Sequence, residues 1–206
     1  MLDENNVCDE KIEQSTKDTP NKKDNFIRVL FDYVEIFAIC ICAVFLIFSF
    51  VARICTVNGN SMNQTLKHKE VLIVSPLFYE PKQGDIVVFH QTGDLNEPVV
   101  KRIIALGGQT VKIDFADGKV YVDGEPLDEE YVYLDTGKYE KRYWAQYDMD
   151  YSNYTFETVV PEGEVFVMGD NRNNSLDSRS TAIGTVDERR ILGRVILRLS
   201  PFGKVD

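Results

Sequence analysis

The sequence predicts a mainly β protein: an N-terminal single transmembrane helix, then an antiparallel β domain that carries a small inserted β subdomain. Three observations lead there. Residues 36–52, IFAICICAVFLIFSFVA, form a run of 17 positions without a charge. After residue 57, short apolar stretches alternate with Gly, Pro, Asn and Asp, the punctuation of strands and turns. Between Val111 and Val122, VKIDFADGKVYV reads as two alternating runs around Ala-Asp-Gly, a hairpin signal.

Residues 1–35 are polar, mixed in charge and without an apolar period, and read as a disordered tail. As a helix, the uncharged run covers roughly 26 Å, close to the thickness of a bilayer core. Arg53 can send its guanidinium to the headgroups while ICTV continues the apolar surface, so the span is placed at 36–57. A cleaved signal peptide fits poorly, because the run begins far from Met1 and lacks a small-x-small site at its end. A buried core helix fits poorly beside a chain of strands. Lys17, Lys22, Lys23 and Arg28 precede the span, which puts the tail in the cytoplasm and the large C-terminal part outside the cell membrane.

Strands are expected at VLIV (71–74), DIVVF (85–89), VVKRIIAL (99–106), VFVM (165–168) and RVILRL (194–199). Residues 127–160 change composition, with tyrosines crowded among charges. With the hairpin leading into it, the inserted β subdomain is placed at 112–160, between two parts of a core at 58–111 and 161–206.

Composition excludes several functions. A net charge of −10 over 206 residues would repel a phosphate backbone, so nucleic acid is not an expected partner. Cys8, Cys40, Cys42 and Cys55 give no CxxC pair and leave everything after residue 55 without a thiol, which argues against structural zinc, disulfides and redox chemistry. No cofactor or metal is expected.

Two stretches carry chemistry. GNSMNQTL (59–66) sets Ser61 among small and polar residues just past the span. The chain has two histidines, His68 and His90, both read as surface or loop residues, so a Ser-His triad has no support. A serine can instead be served by a lysine amine, provided burial lowers the lysine pKa by several units. Lys101, inside VVKRIIAL, has the close aliphatic neighbours that this requires; alternation puts Val99, Lys101 and Ile103 on one face and Arg102 on the other. MGDNRNNSLDSRS (168–180) follows an apolar strand. Its ordinary meaning is a polar turn, but Ser175 could orient a catalytic lysine and an Asp177–Arg179 ion pair could hold the loop. Met62 can pack or touch substrate, and Trp144 reads as packed.

These residues resemble those of bacterial type I signal peptidases, membrane-bound serine proteases that cut signal peptides from exported preproteins. SMNQTL resembles the nucleophile box, GDIVVF (84–89) a structural box, VKRIIALGGQTV (100–111) the lysine box and GDNRNNSLDSR (169–179) the last box, in the family's order behind an anchor. The resemblance implies Ser61 as nucleophile and Lys101 as general base, with Ser175 hydrogen-bonding the lysine amine. Asp177 and Arg179 would brace the loop, with Asp170 and Arg172 helping to shape it. The Ser61 backbone N–H would hold the oxyanion; Gly59 offers no side-chain donor. It further implies cleavage after small residues of the Ala-x-Ala type, preproteins and the lipid bilayer as partners, and proximity to the secretion translocon. The chain departs from the family pattern at Gln64, where proline is usual, and at Gly107-Gly108-Gln109, usually Pro-Gly-Asp. Asn63-Gln64-Thr65 and Asn173-Asn174-Ser175 are glycosylation sequons inside the expected site, which favours a bacterial membrane. Two rivals are a Ser-Lys self-cleaving regulator, opposed by the span and the missing DNA-binding domain, and a non-catalytic preprotein-binding module, opposed by the intact Ser61, Lys101, Ser175 and Asp177.

Overall fold

Helix α1 spans Lys22–Leu46 and runs into a wider helical turn, Ile47–Val51, in the computed structural model, which describes residues 22–91, 98–115, 118–132 and 155–205. Two expected boundaries are corrected here. The helix starts at Lys22 and takes in part of the segment read as a tail, because no Pro or Gly occurs between Pro20 and Gly59 to interrupt it. Polar residues such as Arg28 and Asp32, four apart, support a helix rather than break one. At the other end Ala52 turns extended, and Arg53–Thr56, expected to prolong the helix, form strand β1. Partners decide that outcome: Arg53 to Thr56 pair in register with Val74 to Val71. Asn25–Val51 is long and apolar enough to cross a membrane, and none of it is buried within the chain.

Ten more strands follow: β2 (Val71–Ser75), β3 (Ile86–His90), β4 (Pro98–Leu106), β5 (Thr110–Asp114), β6 (Lys119–Val122), β7 (Glu125–Pro126), β8 (Thr155–Val159), β9 (Glu164–Met168), β10 (Val186–Asp187) and β11 (Ile191–Ser200). They form two antiparallel sheets, one ordered β1-β2-β11-β3-β4-β9-β10 and the other β7-β6-β5-β8. The expected strands coincide with β2, β3, β4, β9 and β11, except that Asp85 precedes β3, and the strands of the expected hairpin are β5 and β6. β1, β7, β8 and β10 are additional. Three of these are two to four residues long, too short to leave a period in the sequence.

The second sheet does not stand apart from the first. Val111, Ile113, Phe115, Val120 and Val122 pack with Ile104, Ala105, Phe166 and Met168 of β4 and β9 in one cluster. Most of the tyrosine-rich stretch, 133–154 with Trp144, lies outside the described residues. The turn at 107–109 leads from β4 into β5. A Cβ on Gly107 would meet the Pro161 carbonyl oxygen and Glu162 Cα at 2.9 Å, so this turn requires glycine. The Gln109 side chain bonds Leu106 N at 2.9 Å and Asp123 at 2.8 Å, bracing the stretch where the chain departs from the Pro-Gly-Asp pattern.

Strand β4 organises the site. It is buried from Val100 to Ala105 because both faces are covered. Val100 joins Met62, Leu66, Leu72 and Val88 on one side, and Ile103 joins Val87, Phe89, Val165 and Val167 on the other. Lys101 and Arg102, adjacent in sequence, are therefore both inside, 4% and 5% exposed.

Candidate active site

The segment from Val57 to Glu70 is a loop closed at its base by two backbone bonds, Val57 N to Glu70 O and Lys69 N to Val57 O, each 2.9 Å. Met62 and Leu66 are buried and pin the loop to the core, which settles Met62 as a packing residue. Asn63 N donates to Asn60 O and Leu66 N to Met62 O, so Ser61 sits on a tight turn, half-buried. Its Oγ lies 2.7 Å from Lys101 Nζ. The two residues singled out by sequence thus meet across 40 positions of chain.

Burial lowers the Lys101 pKa from 10.5 to about 8; Asp177 and Asp170 oppose that shift and Arg179 adds to it. An apolar surrounding disfavours the ammonium, so the amine becomes a base near neutral pH. This pair can do what a serine protease needs: remove the hydroxyl proton as the oxygen attacks.

The loop after β9 holds the pair in place. Asp177, fully buried, accepts from Gly169 N (2.9 Å), Ser175 Oγ (2.7 Å) and Arg179 (2.7 and 2.8 Å). Burial pushes the Asp177 carboxyl up, but Arg179 and these donors outweigh it and hold the group below the usual carboxylate range. The expected Asp177–Arg179 pair is therefore present. Ser175, expected to bond the lysine amine, donates its proton to Asp177, which leaves its oxygen lone pairs as acceptors. Asp170 receives Arg102 through two bonds, 3.0 and 2.8 Å, and Thr65 Oγ1 at 2.6 Å, tying the nucleophile loop to β4. Arg172 donates to Gly169 O at 3.1 Å and pairs with Glu129.

The same loop also contacts the nucleophile's backbone directly. Asn171 N donates to Ser61 O at 3.0 Å, and the Asn171 side chain donates to Asn60 O at 3.1 Å. A Cβ on Gly169 would lie 2.5 Å from Ser61 O and overlap Ser175 Oγ. Gly169→Ala is therefore expected to push the serine loop off the lysine and lower kcat at least about 10²-fold, as misplacement near 1 Å does. Steady-state kinetics on a folded variant checks this; wild-type kcat would show that the loops give way without cost.

Among the described residues nothing accepts a bond from the Ser61 N–H. The Gly59 N–H donates to His68 Nδ1 at 3.2 Å, which makes His68 a support for the turn and removes Gly59 as a second donor to an oxyanion. His68 and His90 are exposed, as expected of surface residues. Sequence reasoning missed Arg102, Thr65, Asn171, Glu129 and Tyr131. Only Arg102 left a signal: an arginine in an apolar strand requires a carboxylate partner. Among the described residues no group of His, Cys, Asp and Glu could hold a metal ion.

Comparison with known proteins gives the family. The family model described as "Signal peptidase, peptidase S26" matches residues 30–200. The chain belongs to the signal peptidase S26 family. It is 37% identical to "Probable signal peptidase I-1" of Synechocystis sp. over 166 residues, 75% of the chain and 74% of that protein. It is 32% identical to "Signal peptidase IB" of Staphylococcus aureus over 184 residues, 86% and 93% of the two chains. A crystal structure of a signal peptidase I from Enterococcus faecalis superposes with a TM-score of 0.42 at 30% identity, over 56% of this chain and 97% of that one.

Proposed function

We propose that the Ser61–Lys101 pair is the catalytic dyad with which this chain, a signal peptidase I, removes signal peptides from preproteins. The observation that carries the assignment is the 2.7 Å contact between the hydroxyl and an amine that burial holds near pKa 8. A binding module would have no use for a buried amine placed there.

The neutral amine takes the Ser61 proton as Oγ attacks the scissile carbonyl carbon. The tetrahedral oxyanion accepts the Ser61 N–H, a donor worth on the order of 10²–10³-fold in such sites. The Lys101 ammonium then protonates the leaving amine, the new N-terminus of the mature protein, and an acyl-enzyme ester remains. Water attacks that ester, giving a proton to Lys101, which passes it to Ser61 Oγ as the ester bond breaks, and the signal peptide leaves as a carboxylic acid. Ser175 and Asp177 orient the lysine; Asp177–Arg179 and Arg102–Asp170 keep the two loops in register. Extended substrate adds a strand to a sheet edge and presents small residues, Ala-x-Ala, at the cleft. Helix Asn25–Val51 anchors the chain in the cell membrane with the N-terminus cytoplasmic, beside the translocon that delivers preproteins, and tethering raises the effective concentration of both.

The activity should follow the lysine. With a pKa about 8, roughly one Lys101 in ten is neutral at pH 7. Below pH 8 the kcat/KM for a preprotein in detergent is expected to rise roughly tenfold per pH unit and to level off above it. A profile that levels off near pH 6.5 would point to a histidine instead and remove Lys101 from the base role.

A further inference from the structure

The site is framed on one side by a residue outside both loops. After β7 the chain turns at Glu129–Val132, and Tyr131 comes to lie under two buried guanidiniums. Arg102 Cζ is 3.9 Å from the ring centroid and Arg172 Cζ is 5.9 Å from it. Glu129, two residues earlier, pairs with Arg172 and accepts the Tyr131 hydroxyl at 3.3 Å. The two arginines hold consecutive residues of the last box: Arg172 bonds Gly169 O, and Arg102 takes the Asp170 carboxylate in two bonds. Gly169 packs on the Ser61 carbonyl, and Asp170 holds Thr65 of the nucleophile loop.

We infer that Tyr131 is a positioning residue for the Ser61–Lys101 dyad, its ring face holding Arg102 and Arg172 so that Gly169 and Asp170 fix the serine loop against the lysine. Each guanidinium is already paired with a carboxylate, Arg102 with Asp170 and Arg172 with Glu129, and both are buried, so the ring face adds a cation–π attraction to each where little water competes. An aliphatic side chain of similar bulk fills the space but offers no negative face. Without it the guanidiniums are held less closely, the serine loop gains freedom, and the fraction of dyads at bonding distance falls. The inference rests on the dyad assignment proposed above.

The test is steady-state cleavage of a preprotein by the full-length enzyme in detergent, comparing wild type with Tyr131→Phe, Tyr131→Leu and Tyr131→Met, and with Ser61→Ala as control. The ring is what matters, so Tyr131→Phe is expected within about twofold of wild type, and Leu and Met are expected to lower kcat about 5–30-fold with KM within about twofold. Aliphatic variants with wild-type kcat would overturn the inference. So would an effect confined to KM, which would make Tyr131 a substrate contact, or a Tyr131→Phe variant that falls more than about fivefold, which would place the role in the hydroxyl. That last outcome stands even where the aliphatic variants fail to fold. A cleaving Ser61→Ala control would instead sink the dyad assignment, and does so independently of the Tyr131 ratios.

Discussion

Lys101→Met is expected to abolish cleavage, lowering kcat at least about 10⁴-fold, the scale lost when a base is taken from a serine nucleophile. Methionine fills nearly the same space in β4 and offers no proton acceptor, so Ser61 Oγ, now 2.7 Å from an amine, faces a thioether. The same substitution should stabilise the fold. The folded lysine titrates near pH 8 and the unfolded one near 10.5, so the unfolded chain binds more protons between those values and wild-type stability rises with pH across that window. Below pH 8 the buried ammonium costs roughly 3 kcal/mol, and the methionine variant is free of that cost. Denaturant unfolding of both proteins should therefore show the variant more stable at pH 7, with the gap closing towards pH 10.5. A destabilised variant would mean that the amine contributes more in hydrogen bonds than burial costs it.

Asp177→Ala acts on the scaffold rather than the chemistry. The carboxylate accepts from Gly169, Ser175 and Arg179 and is fully buried, and Arg179 is 2% exposed. Removing one member of a buried pair leaves the guanidinium without its carboxylate, a loss of about 3–5 kcal/mol. For a chain of this size each kcal/mol moves Tm by about 2–4 °C, so a fall of roughly 6–20 °C is expected, with activity lost as Ser175 and Gly169 are released. Asp177→Asn keeps the shape and should fall less. The folded Asp177 pKa is depressed, so its contribution is fully present above the ordinary carboxylate pKa of 3.8 and fades as the pH drops below it towards the lowered value. Wild type should lose its advantage over the asparagine variant in that acid range. Equal stability of both across pH 2–7 would show that the pair is not what holds the loop.

Much of this was legible in the sequence, for identifiable reasons. The apolar strands are short and bounded by turn residues, so VLIV, IVVF and VFVM announced themselves, and an amine inside VVKRIIAL implied a depressed pKa. The helix start was not legible, because Lys22, Lys23, Asp24, Arg28, Asp32 and Glu35 interrupt the apolar residues between Lys22 and Glu35, although nothing there stops a helix. β1 was read as helix because Ile54 and Val57 extend the apolar run; only pairing with β2, a long-range contact, makes it a strand. Arg102 was read as facing away from Lys101, which is correct for an alternating strand, but a strand covered on both faces buries each of them. Tyr131 and Glu129 gave no signal at all, since their roles come from tertiary proximity to two arginines far along the chain. The site's reacting groups follow local rules; its frame follows long-range packing.

Signal-peptide cleavage is assigned to the Ser61–Lys101 dyad. Mass spectrometry of a preprotein with an Ala-x-Ala site, incubated in detergent with wild type, Ser61→Ala and Lys101→Met, tests it most directly. The predicted result is one cut, after the final alanine, by the wild type alone. Cleavage at that bond by either variant, or an uncut preprotein bound by wild type, would contradict it.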